Sequence, residues 1–184
     1  MVQSAHDAPD SGTAPHPVLA HRYGKAEERE GFVRALFDAT APHYDRIDRI
    51  FSLGTGPGYR RRALREAGLR PGMRVLDVAV GTGLVARQAV AITGDPALVT
   101  GLDPSEGMLA EARKTLPGVT LIQGRAERIP LPDASVDFLS MGYALRHVAD
   151  LGAAFAEYRR VLKPGGTVLP VSYTHLTLPT NREV

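Results

Sequence analysis

The sequence predicts an α/β fold: a doubly wound, mostly parallel sheet with helices on both faces. Five short apolar runs follow Pro71 and Gly72, namely RVLDVAV, ALVTGLD, GVTLIQG, VDFLSMG and TVLP. Helical patterns separate the first three runs, and another separates the fourth from the fifth, each closing on Gly or on KPGG. Strands that are apolar throughout need cover on both faces, and their alternation with helices makes neighbouring strands parallel.

Composition supports one domain that needs no staple. The chain has 184 residues, 43% of them hydrophobic, with 22 Lys plus Arg against 20 Asp plus Glu and neither Cys nor Trp. A chain of this size buries roughly 70% of the surface its unfolded form exposes. The lack of Cys excludes a thiolate nucleophile, a Cys-ligated zinc site and a disulfide framework, and no metal site is expected. The most apolar stretch, LVARQAVAI, contains Arg87 and Gln88, so no membrane span is expected. A net charge of +2 does not point to nucleic acid. The first 20 residues lack the apolar block of a signal peptide, and a cytoplasmic location is expected.

In chain order, residues 1–22 are rich in Ala, Pro, Ser, Gly and His and read as a disordered tail. Residues 23–70 read as a helical lid segment. Phe32, Val33, Leu36 and Phe37, then Ile47, Ile50 and Phe51 after Pro42, predict two short amphipathic helices. SLGTGPGY is a Gly-rich loop opening a basic helix from Arg60 to Ala67, on which Arg60, Arg61, Arg62 and Arg65 are expected to form a solvated face. A weak contact with anionic membrane is the sharper alternative for these four. Residues 71–169 form the α/β domain, and residues 170–184 do not fit it.

The chemistry concentrates where the first strand should turn into a helix. VLDVAVGTGLVA places Gly81, Thr82 and Gly83 at that turn, and Asp103 lies 20 residues beyond Gly83. That spacing fits a dinucleotide fingerprint as well as a methyl-donor site. Asp77, four residues before Gly81, separates the two. A helix amino terminus favours a pyrophosphate, and an added carboxylate opposes one. S-adenosyl-L-methionine has no phosphate but carries an α-ammonium and a sulfonium, which a carboxylate favours. Asp103 can accept from both ribose hydroxyls; the plainer reading is a helix cap ahead of Pro104. Asp77 could likewise simply bind loop amides.

VLDVAVGTG, GLDPSEGMLAEAR, GRAERIPLPDASVDFLSMGYALRHV and YRRVLKPGG stand in the order of the class I S-adenosylmethionine-dependent methyltransferases, which the chain resembles. FDATAPHYDRIDRIFSLG and YALRHVAD narrow the resemblance to the ubiquinone/menaquinone biosynthesis C-methyltransferase (UbiE-like) branch, whose corresponding segments read "YD…S.G" and "FGLRNVTD". The resemblance covers about residues 32–169. It implies a Rossmann-like fold with S-adenosyl-L-methionine as cofactor, and a small acceptor such as a lipid-soluble quinol. It also implies that Thr82 and the glycines contact the methionine moiety, Asp103 the ribose, Arg125 with Ala126 the adenine, and that Gly142 lines the floor near the sulfonium. Arg125 stands where the family usually has Asp or Asn, Gly142 where it has Ser, and His147 where it has Asn.

Methyl transfer needs an acceptor held in line, roughly 3 to 3.5 Å from the methyl carbon. For a phenol or quinol ring carbon, His147 could take the ring hydroxyl's proton and Arg146 could stabilise the phenolate, although by its position alone His147 could equally be a plain loop residue. Tyr44, with Asp45, is expected on the lid over the cofactor, or as part of a short helix's staple and cap. A nicotinamide-dependent dehydrogenase would use the glycines and Asp103 but leave Asp77 and YALRHV without a role. A non-catalytic S-adenosylmethionine-binding module is the third reading.

Pro170 cannot donate to a central ladder, so the fifth strand is expected to stop there. Val171 to Thr180 resembles a translated sequencing adapter, and the sheet is expected to be truncated after its fifth strand, leaving the chain poorly soluble or inactive.

Overall fold

A computed structural model of the chain describes residues 26–51, 55–142 and 147–171. The expected tail at 1–22 and the adapter-like residues from 172 onward lie outside the described residues, as does Arg146. Helix α1 (Ala26–Phe51) and helix α2 (Gly56–Glu66) precede strand β1 (Val75–Val78). Then come α3 (Leu84–Thr93), a short 3-10 turn, β2 (Val99–Asp103), α4 (Glu106–Thr115), β3 (Thr120–Gln123), β4 (Val136–Gly142), α5 (Leu151–Val161) and β5 (Leu162–Val171). All five strands pair in parallel, in the order β3-β2-β1-β4-β5.

The strands are where the apolar runs placed them because burial on both faces removes any amphipathic alternative. Every residue of β1 is buried. Val75, Val99 and Phe138 pack toward Leu64, Ala86, Ala89 and Leu109 on one face of the sheet. Leu76, Leu102, Leu139 and Met141 pack toward Ala154, Tyr158 and Val161 of α5 on the other. A register shift between Val136 and Phe138 puts Val136 in the same layer as Leu139. Side chains cap two helices: Ser105, and not Asp103, caps α4 by accepting from the Met108 N–H at 3.1 Å, and Asp150 caps α5 by accepting from the Ala153 N–H at 3.0 Å.

Two expectations are corrected. Residues 26–51, expected to hold two short helices, form one helix of 26 residues with Pro42 inside it. Pro42 deletes only the hydrogen bond to the Asp38 carbonyl, and packing of α1 on α4 outweighs that loss. The Asp38 carboxylate accepts from the Gly107 N–H at 3.0 Å and from the Ser105 hydroxyl, and Gly107 must be glycine there, since a Cβ would lie 2.9 Å from the Asp38 Cα. The fifth strand also does not stop at Pro170. β5 begins earlier, at Leu162, and runs through Pro170, which pairs in register with Met141. β5 is at the end of the strand order, where a missing N–H is tolerated.

Gly83 is the tightest backbone position. Its φ of +91° is left-handed, and a Cβ would collide with Leu116 Cδ1. Gly83→Ala should therefore lower stability by about 2 to 4 kcal/mol in urea unfolding. Gly58 lies in α2 with no atom within 4 Å of where a Cβ would stand, so Gly58→Ala should be neutral or stabilising by up to about 1 kcal/mol.

Candidate functional site

The chain winds from β1 outward through β2 to β3, then crosses back to β4 and β5. That reversal leaves a crevice beyond the carboxyl ends of β1 and β4, the place where open α/β sheets hold ligands. A cavity of about 660 Å³ lies there, roofed on one side by α1. Asp77, Gly81, Thr82, Asp103, Arg125, Ala126 and Gly142 all line it, together with Tyr44 and His147. Gly83 stands just behind the wall as the N-cap of α3.

The glycine turn is strained and internally bonded. Ala79, at φ +54°, is a non-glycine residue in left-handed backbone, a feature for which the sequence carries no signal. Gly81 follows at φ +56°. The Gly81 N–H donates to Asp103 Oδ2 and the Ser105 N–H to Asp103 Oδ1, each at 2.8 Å, while the Gly83 N–H donates to the Val80 carbonyl at 2.9 Å. Asp103 thus ties the turn to the start of α4. Burial pushes its pKa up to about 6, against the pull of these two amides.

Asp77 is more deeply enclosed, at 1% exposure. Its Oδ1 accepts from the Ser140 hydroxyl at 2.7 Å, and strand register puts the two residues side by side on β1 and β4. Oδ2 has no partner in a full hydrogen bond. Burial drives the Asp77 pKa up to about 7, with Ser140 and the Ala86 N–H opposing. Ser140 is visible in the sequence as the one polar side chain within FLSMG, but its partner depends on register.

Helix α1 is fastened beside the turn at two points. The Thr82 hydroxyl donates to Asp45 Oδ1, and Asp45 Oδ2 is 3.6 Å from a guanidinium nitrogen of Arg87. Asp38 receives Ser105 and Gly107 at the start of α4, and the first of these bonds does most to hold its pKa below the usual carboxylate range. Next to Asp38, Phe37 meets His147 edge to face, with ring centroids 5.4 Å apart. Asp38 lies on an exposed helical position, so periodicity alone could not mark it.

The far side is set by the loop after β3. Arg125 Nε lies 3.4 Å from Glu127 Oε2, and Glu127 Oε1 accepts from the Ala149 N–H at 2.9 Å. Arg160 clamps the same loop by donating to the carbonyls of Ile129 and Leu131, both at 2.8 Å, while paired with Glu157 and Asp133. Glu127 and Arg160 are positioning residues; both lie in the segments GRAERIP and YRRVLKPGG, whose spacing gave them no role.

The basic helix needs a correction. Arg61, Arg62 and Arg65 are exposed, but Arg60 is 1% exposed and lines the cavity. One turn of helix points a fourth arginine inward, and a run of charges does not reveal which. Among the described residues, no group of three or more His, Cys, Asp or Glu is placed to hold a metal ion, and no helix is long and apolar enough to cross a membrane.

Comparison with known proteins fits this geometry. A demethylmenaquinone methyltransferase of Staphylococcus aureus (strain MRSA252) is 37% identical over 83% of this chain and 64% of its own length. A ubiquinone/menaquinone biosynthesis C-methyltransferase UbiE of Shewanella halifaxensis (strain HAW-EB4) is 36% identical over 90% of this chain and 67% of its own. The chain therefore spans about two thirds of the length of the curated relatives it matches. Among solved structures, a SAM-dependent methyltransferase from Aquifex aeolicus superposes with a TM-score of 0.53 and 30% identity, over 57% of this chain and 58% of that one. The sheet order and the glycine turn flanked by Asp77 and Asp103 agree with a match over residues 24–183, by which the chain belongs to the ubiE/COQ5 methyltransferase family.

Proposed function

We propose that this protein is an S-adenosyl-L-methionine-dependent methyltransferase that transfers a methyl group to a ring carbon of a quinol- or phenol-type acceptor, acting in the cytoplasm. The observation that carries the reading is Asp77 Oδ2: a buried carboxylate oxygen beside the glycine turn, lacking a full hydrogen bond, on the cavity wall. An α-ammonium supplies the missing donor, whereas a diphosphate would be repelled. The named relatives, all called methyltransferases, support this over a dehydrogenase.

In this reading Asp77 takes the ammonium, and Gly81, Thr82 and Gly83 shape the methionine end. Asp103 keeps lone pairs beyond its two backbone bonds and accepts from the ribose hydroxyls. Arg125 and the Ala126 backbone flank the adenine, and Gly142 leaves room at the floor, where a Cβ would already be 3.2 Å from Val85. S-adenosyl-L-methionine supplies an electrophilic methyl group on a sulfonium. The chain's part is to orient the reactants, exclude water and manage two proton movements. The hydroxyl proton leaves as the ring carbon takes the methyl group; the ring C–H proton that the methyl replaces leaves afterwards, with the hydroxyl proton returned as the ring becomes aromatic again. An imidazole nitrogen of His147 takes the acceptor's hydroxyl proton, Tyr44 orients the acceptor from α1, and Arg146 steadies the phenolate. Apolar side chains such as Val33, Phe37 and Met108 in the lining suit a lipid-soluble quinol, the partner assigned here.

Calorimetric titration tests the donor: S-adenosyl-L-methionine should bind and NADH should not, and the reverse result would end this reading. The pH dependence is specific. The ammonium needs Asp77 ionised, so affinity should rise roughly tenfold between pH 6 and 7.5 as Asp77 titrates near 7, with Asp103, near 6, adding about twofold.

Stability should move the other way. Unfolded Asp77 is ionised above about pH 4, but the folded protein keeps it protonated until about 7. The folded state then holds an extra proton between those values, and stability falls as pH rises through that window, by a few kcal/mol at most. Asp77→Asn should therefore weaken donor binding by tenfold or more at pH 7.5 while raising the unfolding midpoint of the ligand-free protein.

A further inference from the structure

Helix α1 turns its acidic side inward and an apolar stripe outward. Asp38 and Asp45 both accept hydrogen bonds from the body of the protein, the first from Ser105 and Gly107, the second from Thr82. Phe32, Ala35, Leu36 and Ala39, spaced i, i+3, i+4 and i+7, are all exposed. That spacing makes one continuous face of a helix, which a globular protein ordinarily buries. Here Phe32 is 41% and Leu36 50% exposed. Val33 and Phe37, each one position further along, line the cavity instead.

Helix α2 borders the same cavity through Arg60 and adds charge on its outer side. Arg61, Arg62, Arg65 and, past the helix end, Arg70 are exposed, and Glu66 is the one acidic residue from Thr55 to Arg74. Tyr59 is exposed beside them. Of the five large apolar side chains exposed among the described residues, three are therefore on the two helices at the cavity, while Phe155 and Val168 are on α5 and β5. Apolar side chains next to clustered arginines match a bilayer with anionic headgroups, where the former enter the acyl boundary and the latter stay at the headgroups. A second copy of this chain fits less well, because a symmetric contact would bring the same arginines against one another.

We propose that α1 and α2 form a docking surface for anionic membrane, with Phe32 and Leu36 entering the lipid and Arg61, Arg62 and Arg65 meeting its headgroups. Arg60 faces the cavity and takes no part. The exposed stripe and the cavity lining are adjacent faces of one helix, so docking sets the cavity beside the bilayer from which a lipid-soluble acceptor is drawn. That use of the surface rests on the acceptor assigned under the proposed function; the surface itself does not.

Co-sedimentation of the 184-residue chain with vesicles tests the surface. Vesicles of phosphatidylglycerol mixed with phosphatidylcholine should bind the protein at least about tenfold better than phosphatidylcholine alone, and sodium chloride should shrink the difference. The double variant Phe32→Gln, Leu36→Gln keeps good helix formers on α1, and an unchanged urea midpoint reports that it is folded. It should bind mixed vesicles about tenfold more weakly while keeping the preference for anionic lipid. The triple variant Arg61→Gln, Arg62→Gln, Arg65→Gln should lose that preference, at roughly fivefold per arginine. Failure of the wild type to bind mixed vesicles would overturn the proposal, and dimers that the Phe32, Leu36 variant abolishes would then assign the face to a second copy. Vesicle binding that neither variant weakens would overturn it equally. Binding as expected, but with no methylation of a quinol carried in the vesicles, would keep the surface and remove the acceptor assignment.

Discussion

The structure is organised around a carboxylate that the fold does not fully satisfy. Asp77 lies inside the sheet where β1 meets β4, with Ser140 on one oxygen and no full hydrogen bond on the other. A fold selected only for stability would place an apolar residue there, since an unpaired buried polar atom costs about 1 to 3 kcal/mol. Its position follows from parallel pairing: the reversal of strand order opens a crevice at the end of β1, and Asp77 stands on the strand that borders it. Asp103, on the next strand, is the better satisfied of the two because it also builds the turn, holding Gly81 and Ser105 at once. One carboxylate is structural as well as available to a ligand; the other is chiefly available.

How much of this was legible follows from what each signal measures. The five strands were readable because residues buried on both faces must be apolar throughout, and Gly83 because a left-handed N-cap packed against Leu116 admits little else. Asp77 and Asp103 were readable because glycines and acids at strand ends form a short-range pattern. Pro42 and Pro170 misled because a proline's local penalty was weighed without its surroundings: α1 is held by α4, and β5 is an outer strand of the sheet. Arg60 was misread for a related reason. Four arginines within six positions look like a solvated face, and only the seating of α2 on α3 decides which of them turns inward. Asp38, Ser140 and Glu127 have partners 67, 63 and 22 residues away, beyond any local pattern.

The rest of the cavity wall shows how few elements must cooperate. Gly142 at the end of β4, Ala126 on the clamped loop and Phe37 with His147 enclose the space, yet each sits on a different segment of the chain. Arg160 and Glu127 hold the loop in place from behind, so its geometry depends on α5 as much as on its own residues. Exchanging a single lining residue therefore alters shape locally, whereas losing one of these supports displaces several lining residues together.

Helix α1 is fixed to the rest by a different kind of force. Asp38 and Asp45 bring negative charge to the starts of α4 and α3, where the helix dipoles are positive. The sheet behind them is held mainly by apolar burial. Rising ionic strength screens the first and, with a strongly hydrated salt such as sulfate, strengthens the second. The roof and the floor of the cavity are thus set to respond to salt in opposite directions.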